Sequence, residues 1–129
     1  MKTPKLLVPV LTAIAVTVAA SFVIAAEETP ITKAMDIAHK APKGEKKLCE
    51  KIVGGTATDA EVKTALDAYK AIGDTKPPRG DAAEFKGKVA KLIAATEDVL
   101  AKKDGAAAGY KAAVNCKECH SKFKPEDKK

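Results

Sequence analysis

The chain contains no tryptophan, and only two tyrosines and three phenylalanines among its 129 residues. So little aromatic bulk leaves a chain of this size with a modest core of its own, and its alanine-rich segments add few large side chains. Strand signals are absent as well, which excludes a sheet-based fold. Lysine and arginine outnumber aspartate and glutamate by 23 to 17, a formal charge of +6. No aromatic residues interleave with those cations, so the basic excess does not read as a nucleic-acid surface. Cysteine is scarce, with only Cys49, Cys116 and Cys119.

Charge is also missing from one long stretch. After the short positive segment Met1-Lys2-Thr3-Pro4-Lys5, the run Leu6 to Ala26 carries no ionisable residue. Small residues at Ala25 and Ala26, followed by Glu27-Glu28, complete the pattern of a secretory signal over residues 1–26. The run is longer than the usual signal core and, at about 1.5 Å per residue, nearly long enough to cross a ~30 Å bilayer. A retained anchor is therefore the alternative, and the only arrangement in which the protein would meet a membrane. Either way the domain, residues 27–129, is expected to be periplasmic or otherwise exported. Losing Lys2 and Lys5 with the leader would leave it a charge of about +4.

What is present is helical punctuation. Thr29-Pro30 opens a helix whose Ile31, Ala34, Met35 and Ala38 share a face. Ala41-Pro42-Lys43-Gly44 interrupts or kinks it. A further stretch, Glu45 to Val53, points Leu48, Cys49, Ile52 and Val53 inward and stops at Gly54-Gly55. Thr58-Asp59-Ala60-Glu61 is a capping box before the stripe Val62, Ala65, Leu66, Tyr69 and Ile72. After the turn-rich loop Asp74 to Gly80, Asp81 caps a helix burying Phe85, Val89, Leu92, Ile93, Thr96, Val99 and Leu100. Asp104-Gly105 ends it, and a last helix over about Ala106 to Phe123 presents Tyr110, Ala113 and Val114. The expected fold is all-α, an antiparallel four-helix bundle with short loops.

The last helix carries Cys116-Lys117-Glu118-Cys119-His120. Cys-x-x-Cys-His is the attachment signature for c-type haem: two thioethers to the porphyrin and a histidine to the iron. Positions i, i+3 and i+4 share one helical face, so the spacing puts all three groups on one side. A buried porphyrin would also supply the large apolar body that the aromatics do not. Zinc would need a fourth ligand, for which only Cys49 and His39 are remote candidates. A thioredoxin-like redox pair would need a preceding strand, and a structural disulfide would not require the histidine. Cys49, left over, reads as a small buried residue. The sharper alternative is an intermolecular disulfide.

These residues resemble a known family, the class II c-type cytochromes, comprising cytochrome c′ and its low-spin relatives. The motif lies in the final helix. Gly80-Asp81-Ala82-Ala83-Glu84-Phe85-Lys86-Gly87-Lys88 is similar to the start of the family's third helix, and Cys116 through Lys124 to its terminal helix, including the aromatic Phe123. The resemblance spans the domain, more strongly in its second half. It implies one covalently attached haem c near one end of the bundle, with Cys116 and Cys119 as thioethers, His120 as proximal iron ligand, and often a homodimer through the first two helices. Two features depart from the family: Ile31 stands where an arginine is common, and Pro42 shortens the first two helices.

The sixth iron position separates the functions. Low-spin members use a first-helix methionine, and Met35 falls there. Its apolar stripe position also suits plain packing. His39, four residues on, shares that face and is the second candidate; otherwise it is an exposed histidine at a helix end, favoured there when protonated. A closed iron gives an electron carrier and no enzyme, which is the expected role. An open, apolar site gives a binder or scavenger of nitric oxide or carbon monoxide. An enzyme would need distal acid or base groups, and His39 is the only candidate. Lys111, Lys117, Lys122, Lys124, Lys128 and Lys129 could steer acidic redox partner proteins to the haem edge. Glu118, Glu126 and Asp127 interrupt that patch, and a solvated face with a basic tail is the plainer alternative.

Overall fold

The computed structural model describes residues 28–126. The expected leader, residues 1–26, and the tail residues Asp127, Lys128 and Lys129 lie outside the described residues. Six helices and no strand make up this part: α1 (Pro30–Ala38), α2 (Leu48–Val53), α3 (Asp59–Ile72), α4 (Ala82–Leu100), α5 (Ala106–Ala113) and α6 (Cys116–Phe123). The all-α class is as expected. None of the described helices is long and apolar enough to cross a membrane.

The helices begin where short polar side chains can satisfy free backbone donors. Thr29 accepts from the Thr32 amide at 3.2 Å, with Pro30 at the first helical position. Thr58 and Glu61 form the reciprocal capping box of α3, at 3.2 and 2.8 Å. Asp81 accepts from the Glu84 amide at 2.7 Å to start α4.

Three boundaries differ from the sequence reading. α1 ends at Ala38 with His39 as its C-cap, before Pro42 is reached. The next helix starts at Leu48 and not at Glu45, because Lys47 is extended and its amide bonds the Glu50 carboxylate at 2.9 Å. The last helix is two helices. Asn115 turns out of helical geometry (φ −45°, ψ 85°) and accepts from the Glu118 amide at 3.2 Å, so a new N-terminus is made immediately before Cys116.

α3 packs against α1 on one side and α4 on the other, α4 packs against α5, and α2 rests on α3 and α5. The core falls into two clusters. The first joins Ala38, Cys49, Ile52, Val62, Ala65, Tyr69 and Tyr110. The second joins Ala34, Ala68, Ile72, Phe85, Val89 and Phe123, with the Phe85 and Phe123 rings edge to face at 5.2 Å. The stripe of α3 is buried throughout, as expected, whereas Leu92, Ile93, Val99 and Leu100 of α4 are only half-buried.

Candidate functional site

The site is built on α6. With Asn115 capping the helix and Glu118 in its first turn, Cys116, Cys119 and His120 are placed one turn apart on one face. Cys116 and His120 are exposed. Cys119 is half-buried against the second core cluster. All three cysteines carry free thiols, and Cys49 is buried in the first cluster with 6% of its surface exposed. That burial fits the packing role and withdraws the Cys49 thiol from contact with a second chain. Burial pushes the Cys119 and Cys49 thiols up from their ordinary pKa values.

Phe123 fixes the far end of α6 in the core, and four polar links tie the helix to its neighbours. Lys88 pairs with Glu118 and Lys122 with Glu84, both from α4. Arg79 donates to the Ser121 carbonyl at 2.5 Å and to Glu126 at 3.0 Å. The Lys88 ammonium holds the Glu118 carboxyl below the usual carboxylate range. The Arg79 loop approaches closely because of Gly80: its φ is +82°, and a Cβ there would lie 2.8 Å from Phe123 Cδ1 and 2.9 Å from the Lys122 carbonyl oxygen. Arg79 Nε is buried without a hydrogen-bond partner.

The C-cap of α1 is His39. Its Nε2 lies 3.1 Å from the Tyr69 hydroxyl, which lies 2.7 Å from the Tyr110 hydroxyl. Both tyrosines are wholly buried, and burial raises both phenols above their ordinary value. His39 is half-buried. Desolvation first, then the charges of His120 and Lys47, push its pKa down to about 4. His39 is thus partly withdrawn from solvent, unlike the exposed helix-end histidine that was the alternative to its role as a ligand.

Half-buried Cys119 and buried Phe123 of α6 pack in the second core cluster with Ile31, Ala34 and Ile37 of α1, whereas Cys49 of α2 lies in the first cluster, where His39 meets Tyr69. Met35 sits half-buried one turn before His39 and belongs to neither core cluster. Among the described residues, no three His, Cys, Asp or Glu side chains converge closely enough to hold a bare metal ion.

No family model, curated protein or solved structure matches this chain. The site therefore has to be read from its own chemistry.

Sequence reasoning missed the two tyrosines, the Arg79–Gly80 loop and Lys88. Tyr69 and Tyr110 sit at apolar stripe positions and read as packing. The available signal was that a buried phenol needs a hydrogen-bond partner.

Proposed function

We propose that this protein is an exported monohaem c-type cytochrome that carries electrons. The observation that carries the reading is the pair of free thiols at Cys116 and Cys119 with His120 on the same face of α6. The donor set fits the group. Cys116 and Cys119 would hold haem c by thioethers, and His120, with Met35 or His39 as the candidate second donor, would ligate its iron. When bound, haem c supplies an iron that takes up and gives back one electron.

The chain's own residues do the rest. Asn115 starts α6 one residue before Cys116, so the motif occupies the first turn and a half of a rigid, capped element. Phe123, Glu118 and Lys122 hold that element against α4, and Arg79 holds its C-terminal end. Tyr69 restrains His39. Half-buried Leu48 and Val114, packed against the first core cluster, flank Cys49 and Cys116 in sequence and offer apolar surface. The whole is read as a class II-type four-helix bundle of α1, α3, α4 and the α5–α6 pair, with α2 as a short connection. No catalytic group is assigned.

The test is to export the protein in a host that matures c-type cytochromes and to denature it in acid. Haem that stays with the polypeptide, and is lost from the Cys116→Ser/Cys119→Ser double variant, supports the reading. Haem that dissociates, or none at all, contradicts it. A covalently loaded protein whose reduced form binds carbon monoxide would instead be a gas binder.

A further inference from the structure

The two helices on either side of Asn115 are held in different ways. The buried residue of α5 is Tyr110, bonded to Tyr69 of α3 at 2.7 Å inside the first core cluster. The buried residue of α6 is Phe123, at the far end of the helix and in the second cluster. Between them the chain leaves helical geometry at Asn115. The ion pairs Lys88–Glu118, Lys122–Glu84 and Arg79–Glu126 add to the hold on α6, but they lie at a partly exposed surface where such pairs contribute little. So α6 is pivoted at one end and fastened at the other. The motif lies in between, and its two thiols differ in access: Cys116 is exposed, whereas Cys119 is half-buried against the second cluster.

We propose that α6 is a flap that swings out on Asn115 while α1 to α5 stay folded, that Phe123 under the Arg79–Gly80 loop is its latch, and that Cys119 is fully reached only when the flap is open. The latch is built from contacts that break together. The Phe123 ring meets Phe85 edge to face at 5.2 Å, and Gly80 passes so close that a Cβ there would lie 2.8 Å from Phe123 Cδ1. Arg79 closes over the same end by its 2.5 Å bond to the Ser121 carbonyl. A short element held by one buried side chain is the kind of unit that opens below the free energy of global unfolding. That the thiol so uncovered is an attachment thiol rests on the haem reading above. The attachment is redox-neutral: the sulfur bonds one vinyl carbon, the thiol proton goes to the other, and the double bond becomes single. The free thiols of the motif therefore need access and no oxidant.

The experiment uses the whole mature chain, made without cofactor attachment and kept reduced so that Cys49, Cys116 and Cys119 are all free. The rate at which a bulky maleimide labels each thiol is read by peptide mass spectrometry. Exposed Cys116 gives the unhindered rate and buried Cys49 reports opening of the first core cluster, so the two bracket Cys119. In the wild type the expected order is Cys116, then Cys119, then Cys49. Phe123→Ala is expected to speed Cys119 about tenfold or more. Arg79→Gln, which keeps every buried apolar group, is expected to speed it roughly threefold and answers the question should Phe123→Ala fail to fold. Val62→Ala thins the first cluster, and it is expected to speed Cys49 and leave Cys119 unchanged. The inference is wrong if Cys119 or Cys49 labels as fast as Cys116 in the wild type. It is equally wrong if Val62→Ala raises Cys119 in step with Cys49, or if Arg79→Gln leaves Cys119 unchanged. Labelling needs no cofactor. A protein that shows these rates and yet leaves a maturing host without haem would overturn the attachment reading and leave the flap standing.

Discussion

Gly80 shows how one residue can fix the placement of a site. Its positive φ and the 2.8 Å approach of Phe123 mean that Gly80→Ala must displace the Arg79 loop or the end of α6. The expected cost is about 1–3 kcal/mol in chemical denaturation. Gly87, inside α4 with nothing within 4 Å of a Cβ, is the control. There Gly87→Ala should stabilise by about 0.5–1 kcal/mol through helix propensity alone. His39 gives a pH dependence. Its folded pKa of about 4 lies below the ordinary 6.5, so the unfolded chain binds the proton more readily. Stability from this group is complete above pH 6.5 and is lost as the pH falls towards 4. In haem-free protein, made without cofactor attachment, the unfolding free energy should decline across that window. The decline should be shallower in His39→Gln, and parallel curves for the two proteins would contradict the assignment.

At the scale of elements, α6 depends on its cap and on one aromatic anchor. Asn115→Ala should cost about 1 kcal/mol by removing the acceptor for the Glu118 amide. Phe123→Ala should cost about 3–5 kcal/mol and free α6 from the second core cluster, seen as faster amide exchange across residues 116–123. Glu84→Gln breaks a half-exposed ion pair with Lys122 and should cost under about 1 kcal/mol. Equal losses for Phe123→Ala and Glu84→Gln would mean that α6 is held by charge and not by burial. These elements were unequally legible in the sequence. α3 could be read because its capping box, its stripe and its terminal glycine agree. The break before Cys116 could not, because Asn115 stands in an unbroken helical period and only its backbone geometry reveals a cap. Lys47 hid the true start of α2 in the same way: a lysine is not a customary cap, and it is the Glu50 carboxylate that satisfies its amide.

For the whole molecule, the motif was the legible part and the surroundings were not. Cys116, Cys119 and His120 are neighbours in sequence, so their shared face follows from helical spacing alone. The pairing of His39 with Tyr69 and Tyr110 joins residues 30 and 41 positions apart, and no local pattern announces it. Sparse aromatics, a free-thiol pair on a capped helix, and half-buried apolar side chains along α4 are consistent with one account, a small helical chain completed by a large apolar cofactor. The most direct test of that account is the visible spectrum of the exported protein, oxidised and dithionite-reduced, with and without carbon monoxide. The account predicts sharp reduced α and β bands that carbon monoxide leaves unchanged, the mark of a six-coordinate, electron-carrying iron. Broad high-spin bands that shift with carbon monoxide would contradict the electron-carrier role, and a protein with no haem bands would contradict the account as a whole.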